Sequence, residues 1–273
     1  MSEPSPEAPP RQLITTLYGL YARDRDDWLS VAALVRMMGE LGVDGAAVRS
    51  SVSRLKRRDV LHSVRVDGRA GYALSPATLD ILKEGDVRIF ARPRATAADG
   101  WLVLVFSVPE SEREKRHALR SQLTRLGFGT AAPGVWVAPG TLYDEVARAL
   151  ERLGLLRYTE FFRGDYLGSG DVQGRVREWW DLDQMERLYG EFRDRYAPVR
   201  DRIASGPPEP GEAFETYVPM LTSWRRLPYL DPGLPLEHLP RDWIGVEAGD
   251  LFEALDGTLR GPAADHARAL LAE

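Results

Sequence analysis

Residues 44–74 read DGAAVRSSVSRLKRRDVLHSVRVDGRAGYAL, and this stretch decides the N-terminal fold. Asp44 is a residue type that caps helices. The spacing from there to about Asp59 predicts a helix with Val48, Val52 and Leu55 on its buried face. Val64 and Val66 then alternate, Asp67-Gly68 supplies a two-residue turn, and Tyr72 and Leu74 return, which is a strong hairpin pattern. At about 100° per residue, Ser50, Ser53, Arg54 and Arg57 fall opposite the apolar stripe, with Arg49 and Lys56 on their flanks. Arg65 and Arg69 bracket the hairpin turn.

Upstream, Leu13, Ile14, Leu17, Leu20 and Tyr21 make a helix of Gln12–Tyr21. Ser30 caps a second helix, Val31–Leu41, and Gly42 ends it. Three helices followed by a basic hairpin predict a winged helix-turn-helix. In such a module the second helix braces the third, whose outer face enters the major groove, and the hairpin tip reaches phosphate or the minor groove. Small hydroxyl residues in the early turns, with arginines beyond them, suit close approach to base edges and phosphates. The competing reading is a protein–protein module whose basic residues only solvate it. Arg58, near the helix end, reads as a helix-dipole or salt-bridge residue more than as a base reader.

The charge distribution is compatible with either reading, a polyanion-binding module or a solvated helix face. The 273 residues carry a net charge of -5. From Arg11 to Arg94, however, fifteen basic residues face ten acidic ones. Between Gly45 and Ala70 seven basic residues face only Asp59 and Asp67. A basic cluster on an acidic chain points to a polyanion partner.

Ser75-Pro76 starts a connector helix, and residues 91–100 (ARPRATAADG) form a linker. Trp101–Val108 is an apolar run of strand length, read as a buried strand. Ser111–Leu126 is an amphipathic helix, 128–130 and 135–137 are short strands around Pro133-Gly134, Leu142–Leu153 is a helix and Leu155–Phe162 a strand. That order, βαββαβ, predicts a ferredoxin-like domain. Trp179–Tyr196 and Phe214–Trp224 read as helices, and Asp250–Leu259 as a short closing helix. The stretch 227–243, with Pro228, Pro232, Pro235 and Pro240, reads as an extended wrap or a functional loop.

Catalytic readings find little support. The chain has no cysteine, and its four histidines have no ligand spacing. The end of the first central strand holds Ser107, Pro109 and Glu110, so two-metal nuclease chemistry lacks a first aspartate. Residues 164–174 are glycine-rich without phosphate-loop spacing, and read as a plain loop. Asp181 and Asp183 read as first-turn helix carboxylates. Trp224, Arg225, Arg226 and Tyr229 together suit an anion beside a ring, although a buried tryptophan with surface arginines reads equally well. No stretch approaches the roughly 18–20 apolar residues of a membrane helix, and MSEPSPEAPP lacks the character of a signal peptide.

Several strings resemble the PaaX family of bacterial transcriptional regulators, the phenylacetic acid catabolon repressors. They are VRSSVSRLKRRDVL (48–61), WLVLVFSVPE (101–110), LGFG (126–129), VWVAPG (135–140), WRRLPYLDPGLP (224–235) and LPRDW (239–243). The proline-patterned string 224–235 is the most specific of them. The chain departs from the family at Leu221–Ser223, where a His-Glu-Tyr-like run is usual, and at Ile244–Asp250. The resemblance implies a dimeric repressor, not an enzyme and without a cofactor, that releases its operator on binding an aryl-acyl-CoA such as phenylacetyl-CoA.

The expected class is α+β. A tail (1–10) precedes a winged helix-turn-helix with its connector (11–92), then a ferredoxin-like central domain (99–175) and a mainly helical effector-sensing domain (177–273). The expected partners are double-stranded operator DNA, a small-molecule effector and a second copy of the chain, in the cytoplasm and away from membrane. The DNA-binding candidates are Arg49, Ser50, Ser53, Arg54, Lys56, Arg57, Arg65 and Arg69; the effector candidates are Trp224, Arg225, Arg226 and Tyr229. The alternatives are a related regulator answering a different small molecule, and a nuclease or protein-interaction module on the central domain.

Overall fold

The structure, a computed structural model, describes residues 8–168 and 170–272. The expected tail therefore lies mostly outside the described residues. In chain order the main elements are α1 (Pro10–Tyr21), β1 (Trp28–Ser30), α2 (Val31–Glu40), α3 (Gly45–Arg57), β2 (Leu61–Val66), β3 (Arg69–Leu74) and α4 (Pro76–Asp86). Next come β4 (Trp101–Phe106), α5 (Arg113–Arg125), β5 (Gly129–Ala132), β6 (Val135–Pro139), α6 (Tyr143–Arg152) and β7 (Thr159–Gly164). The rest is helical: α7 (Val172–Trp179), α8 (Leu182–Ile203), α9 (Pro210–Trp224), α10 (Leu227–Leu230) and α11 (Ile244–Ala272). The class is α+β, with two antiparallel sheets. The described residues divide into two units, one drawn from the ranges 8–86, 193–225 and 249–272, the other from 87–192 and 226–248.

In the first unit, the caps expected from sequence form. Ser30 Oγ accepts the Ala33 N–H at 3.0 Å, and Asp44 opens α3. Buried Leu13, Ile14, Leu17 and Tyr18 fasten α1 to α3 and to α9. At the α1–α9 contact the buried hydroxyls of Thr16 and Thr222 lie 2.8 Å apart. α2 is tied to α11: Arg36 Nη2 donates to the Leu270 carbonyl at 2.8 Å, and Glu40 meets His266 at 3.4 Å. Two features differ from expectation. β1, a three-residue strand, joins the hairpin sheet in the order β1-β3-β2. α11 runs through Pro262 to Ala272 instead of closing near Leu259, because its buried stripe of Leu251, Leu255, Leu259, Ala263, Ala267 and Leu270 continues past the proline.

In the second unit, β4, α5, β5, β6, α6 and β7 build a four-stranded antiparallel sheet in the order β5-β6-β4-β7. Leu102 and Leu104 of β4 point into a core with Leu119, Leu123, Val146 and Leu150 from the two helices. Trp101, Val103 and Val105 point to the other face. Trp101 is covered there by Trp179, Trp180 and His238, while Val105 is 37% exposed. The strand expected to be buried throughout is therefore covered at one end only. The glycine-rich stretch 164–174 is not loop throughout, since α7 starts at Val172. The helix expected over 179–196 forms as α8 but starts only at Leu182, because Trp180 is extended (φ -122°, ψ 146°) and Asp181 Oδ1 accepts the Gln184 N–H at 2.9 Å to start it.

The proline-rich segment wraps around one carboxylate. Asp231 accepts from Arg94 Nη2 (2.6 Å) and Nη1 (3.3 Å), the Tyr189 hydroxyl (3.3 Å), Trp243 Nε1 (3.3 Å) and the N–H groups of Gly233 and Leu234. Burial, reinforced by Asp231, holds the Tyr189 phenol protonated well above its ordinary range. Gly233 has φ +78°, and a Cβ there would strike the Pro93 carbonyl.

Candidate nucleic-acid interface

The site starts from the cap of α3. Asp44 Oδ1 accepts the N–H groups of Ala46 (2.7 Å) and Ala47 (2.9 Å), two donors that the first helical turn otherwise leaves unpaired. Those bonds, then Arg49, hold the Asp44 carboxyl below its ordinary value of 3.8. Val48, Val52 and Leu55 are buried as the spacing predicts, and Ser51 joins them at 1% exposure. Its hydroxyl disguised it in the sequence as a surface position.

The opposite side of α3 is open. Arg49, Ser50, Ser53, Arg54, Lys56 and Arg57 are all exposed. Arg54 Nη2 donates to Ser50 Oγ one turn back at 3.2 Å, so these two lie on one line along the helix. Lys56 Nζ stands 5.8 Å from the Tyr72 ring of β3, where a cation is attracted by the ring face. Arg58 is the C-cap of α3 and exposed. None of the α3 arginines is in an ion pair with a carboxylate among the described residues.

The hairpin turns where expected. Asp67 (φ +50°) and Gly68 (φ +77°) both adopt the left-handed conformation, as the two-residue turn that matches strand twist requires. Arg65 Nη1 donates to the Gly68 carbonyl at 3.3 Å. The register pairs Val66 with Arg69 and Arg65 with Ala70. Opposed residues share a face, so Arg65 and Arg69 leave the tip on opposite faces. Val66 is 36% exposed, which means the tip stands clear of the core despite its apolar alternation. The base of the hairpin is held by β1 and by the Tyr18 hydroxyl, which donates to the Tyr72 carbonyl at 3.0 Å.

All eight candidates for nucleic-acid contact are therefore exposed on one helix and the hairpin packed behind it. The four effector candidates are not gathered in this way. Trp224 is fully buried, its ring stacked on Phe252 at 4.5 Å and 10°. Arg225 Nη2 donates to the Gln12 carbonyl at 3.3 Å. Arg226 is exposed. The Tyr229 ring lies 4.9 Å from the guanidinium of Arg88, which is itself buried, pairing with Glu145 at 2.7 Å and the Leu126 carbonyl at 3.0 Å. Sequence reasoning passed over Arg88, the arginine in this group most withdrawn from water; it lies in a short stretch of π-helix, Val87–Ala91, that reads in sequence only as the end of a helix.

Among the described residues, no group of three or more histidine, aspartate or glutamate side chains is arranged to hold a metal ion. No helix among them is long and apolar enough to cross a membrane.

The chain is similar along its length to known proteins. Residues 9–78 match the model of the PaaX-like protein. Residues 94–176 match that of the PaaX protein central Cas2-like domain, and 180–269 that of the PaaX-like protein C-terminal domain. The transcriptional repressor PaaX of Escherichia coli (strain K12) is 27% identical over 245 residues, covering 88% of this chain and 77% of that protein. An uncharacterized protein from Mycobacterium tuberculosis has a similar fold, with a TM-score of 0.55 and 20% identity over 92% of this chain and 96% of that one. With the N-terminal, central and C-terminal models matched in order along one polypeptide, the chain belongs to the PaaX family.

Proposed function

We propose that the protein is a DNA-binding transcriptional regulator, a repressor of genes for aromatic-acid catabolism that an aryl-acyl-CoA releases from its operator. The observation that carries this reading is the exposed basic face of α3, with Arg65 and Arg69 on the hairpin behind it. Three helices with a hairpin are the parts of a winged helix-turn-helix, in which α3 enters the major groove. The similar E. coli protein carries the name of a transcriptional repressor. For the central domain, the βαββαβ order and the strand order β5-β6-β4-β7 support the ferredoxin-like assignment.

In this reading the protein acts in the cytoplasm as a homodimer and sets two copies of α3 into successive major grooves of a partly palindromic operator. The effector favours a conformation in which the two copies of α3 no longer match the operator spacing, since a ligand shifts only states that it distinguishes. Arginines would meet the phosphates of a CoA thioester, and exposed Arg226 is the accessible member of the candidate group. Trp224 would reach a ligand only by leaving its stack on Phe252.

The test is a gel shift on the intergenic DNA beside the protein's own gene, with excess competitor DNA and with or without phenylacetyl-CoA. The expected result is a specific shift that the thioester releases. A shift indifferent to the thioester keeps the regulator and replaces the effector. Absence of any specific shift on operator-bearing DNA overturns the reading.

A further inference from the structure

Arg88 is 6% exposed, and its guanidinium is only partly used. Nε donates to Glu145 Oε2 at 2.7 Å, and Nη1 donates to the Leu126 carbonyl at 3.0 Å. Those two bonds fasten the π-helical turn Val87–Ala91 to α6 and to the end of α5. The third nitrogen, Nη2, is buried and has no hydrogen-bond partner among the described residues. A buried donor left unpaired is costly, the more so on a charged group. Holding the fold together asks for two of the three nitrogens, and one is left over.

The surroundings of that nitrogen are built by specific residues. The Tyr229 ring lies 4.9 Å from the guanidinium carbon. Gly127, which follows Leu126 with φ +85°, lets the Tyr229 backbone come this near. A Cβ there would stand 2.7 Å from the Tyr229 carbonyl oxygen and 2.9 Å from Pro232, so α10 rests directly on the end of α5 only over glycine. The π-turn is closed by the Arg92 N–H, which donates to the Val87 carbonyl at 3.0 Å, and such turns recur at functional sites. Tyr229 and Glu145, the side chains against Arg88, are each partly exposed. The guanidinium therefore lies one side chain below the surface.

Charge decides what the spare donor can take. Glu145 already neutralises Arg88, and the Leu126 carbonyl belongs to the negative end of α5. A second full negative charge would give up its water and face Glu145 across one guanidinium. A neutral oxygen meets neither penalty, and the ring beside it suits flat apolar surface. The carbonyl of an aryl-acyl group has both parts.

We propose that Arg88 and Tyr229 form the acyl subsite of the effector, with Nη2 donating to the acyl carbonyl oxygen and the aryl group packing against the Tyr229 ring. The inference rests on the proposed function and gives its effector a place that does not require Trp224 to leave the core. A thioester and a free arylacetic acid both carry an acyl oxygen. Only the thioester presents it uncharged, so Glu145 makes the subsite select the thioester.

The test is isothermal titration calorimetry of the full chain with phenylacetyl-CoA and, separately, with phenylacetate. Operator affinity without ligand is measured in parallel to check each variant's fold. Arg88→Lys keeps a cation for Glu145 and removes Nη2, and is expected to weaken thioester binding about 30-fold. Tyr229→Leu keeps apolar bulk without the ring, and is expected to weaken it about 5-fold. Glu145→Gln keeps an acceptor for Nε and removes the charge that opposes an anion. Its affinity for phenylacetate is expected to rise about 10-fold while that for the thioester holds. A loosened fold would lower both affinities and could raise neither, so this rise separates a ligand contact from a purely structural ion pair. Thioester affinity unchanged in both Arg88→Lys and Tyr229→Leu overturns the subsite while leaving the effector. An equal fall for both ligands in Glu145→Gln does the same. A wild-type chain that binds its operator but neither ligand overturns the effector reading, and the subsite with it.

Discussion

Arg94 holds Asp231 in a two-pronged ion pair, Nη2 to Oδ2 at 2.6 Å and Nη1 to Oδ1 at 3.3 Å, with the carboxylate side chain only 1% exposed. The string Leu-Pro-Tyr-Leu-Asp-Pro-Gly-Leu-Pro, the most family-specific piece of the sequence, is thus built around a buried charge. Removing one member of a buried pair strands the other, at a cost of about 3–5 kcal/mol. Asp231→Asn is expected to destabilise the protein by about 3 kcal/mol in urea unfolding. Arg226→Ala, at an exposed neighbouring position, is expected to stay within about 0.5 kcal/mol of wild type. Equal midpoints for Asp231→Asn and wild type would show that the carboxylate does not organise the wrap.

Gly71 is the contact point of the hairpin sheet. A Cβ at this position would run into the Trp28 indole and the Leu29 carbonyl, so β1 and β3 approach this closely only over glycine. Gly71→Ala is expected to cost about 1–3 kcal/mol, read as a lowered thermal midpoint. DNA affinity is expected to fall with it, because β3 carries Arg69. An unchanged midpoint would mean that β1 is dispensable to the hairpin.

The caps, α3 and the Asp67-Gly68 turn were legible because local chemistry decides them: a carboxylate on free N–H groups, and a φ that glycine tolerates. β1 was not, since Trp28-Leu29-Ser30 is too short to display a period and forms only by pairing with β3. The length of α11 was hidden because Gly257, Gly261 and Pro262 read as an ending, while small Ala263 and Ala267 carry the buried stripe onward. For the candidate sites the division is similar. Exposure of the α3 arginines follows from helical period. The fate of Trp224 depends on Phe252, a residue on another helix, and no pattern near Trp224 separates a core ring from a ligand-stacking one.

The cap of α3 gives the protein a pH dependence whose sign is set. The Asp44 carboxyl titrates below its ordinary value, through its bonds to Ala47 and Ala46 and then the charge of Arg49. A depressed carboxyl contributes stability that is present above its unfolded value and is lost as pH falls through the folded one. Asp44→Asn keeps a capping side chain and removes the charge. Its thermal midpoint is expected to lie below wild type at pH 7, with the gap closing as the pH drops below the ordinary carboxylate range. A gap independent of pH would assign the cap to shape instead of charge.

The basic face of α3 makes the sharpest solution prediction, because exposure separates binding from folding. Arg54 and Arg57 are exposed, so alanine at either is expected to move stability by no more than about 0.5 kcal/mol. Each guanidinium that neutralises a phosphate contributes about one unit to the slope of log affinity against log salt. Arg54→Ala and Arg57→Ala are each expected to weaken operator binding and flatten that slope by about one unit. Arg113→Ala provides the control. It removes another exposed charge, from α5, lowers the net charge by the same amount, and is expected to leave the slope unchanged. If all three variants lost affinity alike, the attraction would belong to the charge of the whole molecule, and α3 would have no special claim to the groove. Loss confined to Arg54→Ala and Arg57→Ala would put the contact on the one face of α3 that the fold leaves open.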